Sequence, residues 1–131
     1  MKCLFDNNLP SKLAKTLNYL EGDEGIRVEH ISEKFSADTS DIIWIDKLKK
    51  ETGWFVITKD TQIRKKPHER KAWQDSHIPV VFLPKNWLNH DFWEIAWRLI
   101  RYWPKLKDVI TANKKSVSIE LSINGKISVI K

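Results

Sequence analysis

The stretch Trp54-Phe55-Val56-Ile57-Thr58, followed by Lys59-Asp60, decides the fold class of this chain. A nearly unbroken run of apolar and β-branched residues is typical of a strand in a parallel sheet that helices cover on both faces. Further strands are predicted at residues 2–5, 26–31 and 79–83. The strand at 26–31 is half polar, which favours an edge position, and the residues after it are predicted to form a loop.

Helices are predicted between these strands. From Ser11 onward leucines recur at helical spacing until glycines end the pattern. A second helix is predicted to begin near Asp41, with the side-chain oxygen of Thr39 or Ser40 as its cap. A short helix is predicted around residues 68–75.

The C-terminal third combines a long helix with a hairpin. Apolar residues at helical spacing predict the longest helix over residues 90–103, capped by Asn89 and stopped by Pro104. Alternating residues around Asn124-Gly125 predict a β-hairpin with a two-residue turn at about 116–130. The whole pattern predicts an α/β/α sandwich with a mostly parallel central sheet plus this C-terminal β-hairpin.

Length and composition restrict the class of protein. The 131 residues predict one domain over residues 1–131, with a core over about 1–106 and the hairpin after it. The chain is 41% hydrophobic and 31% charged, with no apolar stretch of membrane-helix length and no signal-peptide pattern, so we expect a cytoplasmic protein without a membrane. The single cysteine, Cys3, is expected to be an inert core thiol.

The net charge of the chain bears on its partners. A formal charge of +6 and a pI near 9.4 favour a polyanion, nucleic acid above all, because cationic side chains neutralise phosphates and release counterions. Solubility alone is an equally good explanation of the charge.

Three aspartates are predicted to meet at one edge of the sheet. Asp6 and Asp60 follow strands, and Asp41 begins the helix that leads into the strand before Asp60. Because ligands of such sheets bind outside the carboxyl ends of the strands, we expect a cup of three carboxylates. Their repulsion would recruit a cation, and hard oxygen ligands suit Mg²⁺ or Mn²⁺. Taken singly, each aspartate is also explained as a turn former or as a complement to a helix dipole.

Polar and basic residues accompany the aspartates. Asn7 and Asn8 could add amide oxygens or orient a water molecule. Cations beside a metal site would hold a phosphodiester strand. The candidates for this role are Lys59, Arg64, Lys65, Lys66 and Arg70. An ordinary solvated loop explains the same residues equally well.

Seven tryptophans are many for this length. Stacking on unpaired bases is one use of such residues, but their apolar neighbours favour packing in the core or at a partner interface. Trp97 and Trp103, with Tyr102, are predicted to form an exposed aromatic face for a partner.

Four segments together resemble a PIN-like domain, and the VapC-like toxins of bacterial toxin–antitoxin pairs in particular. They are Leu4-Phe5-Asp6-Asn7-Asn8-Leu9-Pro10, Ser40-Asp41-Ile42-Ile43-Trp44, Val56-Ile57-Thr58-Lys59-Asp60 and residues 79–83, in this order. The resemblance covers roughly residues 1 to 100. It implies a metal-dependent ribonuclease with an α/β/α fold, often a homodimer and often held inactive by an antitoxin protein.

The resemblance also implies roles for single residues. Asp6, Asp41 and Asp60 would be the metal-binding acids, and Asn8 and Thr58 would support them. Many relatives carry an acid directly after the first aspartate, where this chain has Asn7. The site then has one negative charge fewer. The C-terminal hairpin is not part of the usual core of such proteins.

The leading hypothesis is hydrolysis of RNA phosphodiester bonds with one or two Mg²⁺ or Mn²⁺ ions, by water attacking in line. The alternative is a catalytically weak PIN-like module that binds nucleic acid or an antitoxin partner, with Asn7 marking decay of the site. A third hypothesis is a receiver-like phosphoacceptor in which Asp60 takes a phosphate beside Lys85.

Overall fold

The sheet and its order are the main features of the computed structural model, which describes residues 1–59, 67–113 and 117–130. The strands in this part of the chain are β1 (Lys2–Phe5), β2 (Arg27–His30), β3 (Trp54–Thr58), β4 (Val80–Phe82), β5 (Ser118–Leu121) and β6 (Ile127–Ile130). They form one sheet in the order β2-β1-β3-β4-β5-β6. All neighbouring pairs are parallel except β5 and β6, which are antiparallel.

Helices pack on both faces of this sheet. They are α1 (Ser11–Glu21), α2 (Ile31–Lys34), α3 (Asp41–Glu51), α4 (Pro67–Ser76) and α5 (Phe92–Ala112), with a 3-10 helix at Lys85–Asn89. One apolar cluster joins α1 and α5 to the sheet, and a second joins α3 and α4 to the opposite face. The predicted α/β/α sandwich with a mostly parallel sheet is therefore confirmed. Within the described ranges, no helix is long and apolar enough to cross a membrane.

A topological switch point lies between β1 and β3. From β2 the chain passes through α3 and over β1 to reach β3, so β1 pairs with β2 on one side and with β3 on the other. In open sheets of this type, a crevice forms outside the carboxyl ends of the two strands where the order reverses. Phe5 and Ile57 lie opposite each other in register, so the residues that follow them line this crevice.

Helix α5 is longer than predicted. It begins after Asp91, whose side chain accepts a hydrogen bond of 3.0 Å from the Glu94 amide, so Asp91 is the cap and the prediction of Asn89 was wrong. Pro104 lies inside the helix and does not stop it. The ring of Pro104 is exposed, and burial resumes beyond it with Leu106 and Ile110. This apolar contact outweighs the one backbone hydrogen bond that a proline removes.

Two local predictions between β2 and β3 also need correction. The loop predicted after β2 begins with the short helix α2, for which His30 is the cap. Helix α3 begins at Asp41 as predicted, but its cap residue Ser40 makes no side-chain capping bond. The Thr39 hydroxyl is instead 2.9 Å from that of Ser36. Hydroxyls near a helix start have several local partners, so sequence alone does not select one.

The C-terminal hairpin has a longer turn than predicted. Ser122 N–H donates to Lys126 O at 2.9 Å, which leaves three residues, 123–125, in the loop. Gly125 has φ +89, the left-handed conformation that such loops place before the returning strand. A Cβ at this position would lie 2.6 Å from the Tyr102 ring, so glycine is required on steric grounds too.

Glu21 joins the end of α1 to α5. Its Oε1 accepts hydrogen bonds from Trp103 Nε1 at 2.8 Å and from Lys107 Nζ at 2.5 Å, and the side chain is 9% exposed. Burial by itself raises the pKa of Glu21, but the bonds from Lys107 and Trp103 lower this pKa below the ordinary value of 4.5. The ionised carboxylate therefore stabilises the folded chain.

We expect Glu21→Gln to lower the free energy of unfolding by about 1–2 kcal/mol at pH 7, because a charge-assisted contact becomes neutral. Since folding lowers this pKa, the stabilisation is complete above pH 4.5 and is lost as the pH falls through the folded-state pKa. Urea unfolding at several pH values should show the two proteins converging in acid. Glu24→Gln, at an exposed position, is the control. A pH-independent difference would contradict this account.

Candidate functional site

Asp6 and Thr58 face each other at the switch point. Asp6 is the first residue after β1, and its amide donates to Ile57 O at 3.0 Å, which continues the pairing with β3. The Thr58 hydroxyl donates to Asp6 Oδ2 at 2.8 Å, and the Asn7 amide donates to Asp6 Oδ1 at 2.8 Å. Thr58 is fully buried and Asp6 is half-buried. The carboxylate is therefore held in a defined orientation at the carboxyl edge of the sheet.

Asn8 connects the loop after β1 to the end of β3. Its Oδ1 accepts from the Lys59 amide at 3.1 Å, and its Nδ2 lies 3.4 Å from Thr58 Oγ1. Both ends of this side-chain amide are thus engaged with β3 and the residue after it. Asn8 therefore ties the loop after β1 to the end of β3. Burial lowers the pKa of the neighbouring Lys59.

Asp41 lies at the same edge, on the first turn of α3. Its Oδ1 accepts a hydrogen bond from Trp44 Nε1 at 2.9 Å. Asp41 and Asn7 line one pocket of about 170 Å³. The structure therefore brings the start of α3 to the loop that follows β1, as the crossover argument required.

Sequence reasoning missed His30, the last residue of β2. The ring is buried, and its Nε2 lies 2.7 Å from the carbonyl oxygen of Leu9. The Ser32 amide donates to Nδ1 at 3.1 Å, so Nδ1 accepts and Nε2 carries the proton that is donated to Leu9. His30 thereby anchors the loop that contains Asp6, Asn7 and Asn8. The sequence did offer one indication of this role, namely that His30 directly follows three strand residues and so lies at the carboxyl edge of the sheet.

Several predicted residues lie outside the described part of the chain. They are Asp60, Arg64, Lys65 and Lys66. Arg70 is described and is exposed on α4.

The residues at this edge suit a hard divalent cation by their chemistry. Asp6 and Asp41 offer carboxylate oxygens and Asn7 an amide oxygen, which are ligand types that Mg²⁺ and Mn²⁺ prefer. No group of three or more histidine, cysteine, aspartate or glutamate residues that could hold a metal occurs within residues 1–59, 67–113 and 117–130. The third carboxylate of the predicted set belongs to Asp60, which is not among these described residues.

His30→Ala is expected to lower the free energy of unfolding by about 1–3 kcal/mol, because the buried contact with Leu9 O is lost. The loop after β1 should loosen with it, so any activity that depends on Asp6 should fall. Ser32→Ala is the matched control, since it keeps the bond from Nε2 to Leu9. Equal stability of His30→Ala and the unaltered chain in urea would refute this anchoring role.

Comparison with known proteins agrees with this arrangement. No curated protein and no solved structure matches the chain significantly. A family model described as a PIN like domain matches residues 1–85, which include β1 to β4 and the edge residues described above. This match spans well over half of the chain. The chain therefore belongs to the PIN-like domain family, whose fold is of the nuclease type.

Proposed function

We propose that this chain is a metal-dependent endoribonuclease and the VapC-like toxin of a toxin–antitoxin pair. The observation that carries the proposal is the Asp6 carboxylate, held by Thr58 and by the Asn7 amide at the switch point of a PIN-like sheet. A carboxylate fixed by a buried hydroxyl at this position is preorganised to hold a cation.

In this proposal Asp6, Asp41 and Asp60 hold the metal. A bound Mg²⁺ or Mn²⁺ would supply Lewis-acid activation of the phosphodiester and of water. Thr58 orients Asp6, and Asn8 holds the segment around Lys59 in place. Cationic side chains bind the phosphates on either side of the cleaved bond. This role belongs to Lys59, Arg64, Lys65, Lys66 and Arg70.

The toxin assignment adds proposals about partners. The substrate is RNA, the chain works as a homodimer, and an antitoxin protein inhibits it. The net charge of +6 supports the first of these, because a polyanion gains affinity from every phosphate that is neutralised.

The test is cleavage of a mixed single-stranded RNA by the purified chain, with Mn²⁺ or with EDTA, beside the Asp60→Asn variant. We expect cleavage that requires both the metal and Asp60. The unfolding temperature should rise with Mn²⁺, because a ligand at about 100 times its Kd raises the free energy of unfolding by about 2.7 kcal/mol. A folded sample that neither cleaves RNA nor gains stability from Mn²⁺ would favour the binding-module alternative.

A further inference from the structure

Two tryptophans differ from the other five. Trp44, Trp54, Trp73, Trp87 and Trp103 are all buried. Trp93 and Trp97 are 77% and 48% exposed. The predicted exposed face of Trp97, Trp103 and Tyr102 was therefore wrong in two members, because Trp103 is buried and the Tyr102 hydroxyl is bonded to Ile123 O. Trp93, Trp97 and the exposed Arg101 are spaced four residues apart, so they form one ridge on α5.

This ridge begins at the same edge of the sheet as Asp6. Trp87, just before α5, donates to the carbonyl oxygen of Leu121, the last residue of β5. Ile110 instead lines a pocket together with Gly53, which precedes β3 at the opposite edge. Helix α5 therefore runs from the carboxyl edge to the amino edge. Trp93 precedes Trp103, which packs on Phe55, by about 15 Å along the helix. Thr58 lies about 10 Å beyond Phe55 in the same direction.

The first residue of the ridge, Trp93, also lies toward α1. Lys107 and Trp103 bind Glu21 of α1, and Trp93 precedes Lys107 by about four helical turns, so both lie near the same side of α5. Helix α1 begins with Ser11, directly after the loop of Asp6, and runs parallel to α5 in this architecture. Trp93 therefore lies on the side of α5 that faces the beginning of α1.

Both rings are exposed, and the ring of Trp97 is held in place. Trp97 Nε1 donates to Glu94 Oε2 at 2.9 Å, and the Arg98 guanidinium lies 4.6 Å from the centre of the Trp97 ring. Trp93 packs edge to face on Phe92, with ring centres 5.7 Å apart. Fixed aromatic rings lose little conformational entropy when a flat partner stacks on them.

Charge favours an anionic partner for this ridge. Arg101 belongs to it, and the exposed Lys85 and Lys12 lie on the neighbouring 3-10 helix and on the first turn of α1. Of the two acids at the beginning of α5, Glu94 pairs with Arg98 at 3.5 Å, and Asp91 accepts a hydrogen bond from the Glu94 amide. Exposed aromatic rings among cations are the features with which proteins bind single-stranded nucleic acid.

We propose that Trp93 and Trp97 form a stacking platform for unpaired bases of the RNA strand whose backbone passes the Asp6 site. This inference rests on the proposed ribonuclease function and adds to it a surface that binds bases outside the cleavage site. Arg101 binds a phosphate beside the stacked bases.

The test is binding of a labelled single-stranded RNA of about 12 nucleotides in EDTA, measured by fluorescence anisotropy. The double variant Trp93→Ala, Trp97→Ala should bind roughly 5- to 100-fold more weakly, the range expected for the loss of base stacking. The Phe double variant should keep most of the affinity. Tyr19 is an aromatic residue that is 85% exposed near the C-terminal end of α1, away from the beginning of α5, so Tyr19→Ala should not change the affinity.

An RNA duplex of the same sequence provides the decisive comparison, because its bases already stack on one another. The Ala double variant should bind this duplex as the unaltered chain does. The platform would be overturned if the Ala double variant lost equal affinity for duplex and single strand, or lost none for either. It would also be overturned if the unaltered chain did not bind single strands. Binding is measured without metal, so it tests the platform even if the cleavage test fails. Metal-dependent cleavage together with unchanged binding by the Ala double variant would refute the platform and leave the ribonuclease proposal standing.

Discussion

Replacing Asp6 by asparagine is expected to lower RNA cleavage by at least about a thousandfold while the chain stays folded. The substitution removes a negative charge from the proposed metal site. A bound metal stabilises charge in the transition state by several kcal/mol, and each step of about 1.4 kcal/mol in activation free energy changes the rate about tenfold. The fold should survive, because the side-chain oxygen of the new asparagine can replace Oδ1 as the acceptor for the Asn7 amide. Initial cleavage rates with saturating Mn²⁺ measure the effect.

Two further variants make this result specific. Asp46→Asn is the control, since Asp46 lies on α3 with an exposed side chain that pairs with Lys50, one turn further along the same helix, and its rate should not change. Thr58→Val keeps the carboxylate and removes the hydroxyl that orients it, so we expect a loss of about 10- to 100-fold. An Asp6→Asn variant as active as the unaltered chain would eliminate Asp6 from the reaction.

Trp87→Ala is expected to destabilise the chain by about 3–5 kcal/mol, a large part of the total stability of a domain this size. Trp87 is fully buried, its Nε1 donates to Leu121 O at 2.9 Å, and it packs edge to face with Tyr102. The substitution leaves a cavity and removes the partner of a buried carbonyl. Urea unfolding followed by circular dichroism measures the loss.

The Trp87 result also tests how the C-terminal part of the chain belongs to the domain. The family match ends at residue 85, but Trp87, α5 and β5 contribute to the same apolar cluster as β1 and β3. Trp87→Phe should cost about 1–2 kcal/mol, since most of the volume stays and one hydrogen bond is lost. Leu88→Ala, at the next and exposed position, should stay within about 0.5 kcal/mol of the unaltered chain. A separate unfolding transition for the C-terminal part would show that it is not one unit with the sheet.

Patterns of local origin were predicted well from the sequence. The apolar run at β3 reflects burial that is uniform along the strand. The glycine that ends α1 reflects a conformational requirement of that one position. The edge position of β2 followed from its half-polar composition and is confirmed. The placement of Asp6 after β1 and of Asp41 at the start of α3 was predicted for the same reason.

Features that depend on contacts between distant residues were predicted poorly. Pro104 has the local signature of a helix stop, but the core that receives Leu106 and Ile110 keeps α5 intact beyond it. The hairpin turn was predicted too short because Ile123 is buried and the Tyr102 ring lies against Gly125. Neither contact is visible in the residues of the turn.

By itself, the sequence determined the α/β class, the order of the elements and the strand ends at which polar residues collect, because periodicity and turn chemistry are local. Only the tertiary structure decided that β1 and β3 are neighbours, and this pairing brings the Thr58 hydroxyl to the Asp6 carboxylate. It also decided that His30 anchors the loop beside them and that Trp93 and Trp97 remain exposed. These outcomes depend on which surfaces meet across the sheet, and sequence spacing does not contain that information.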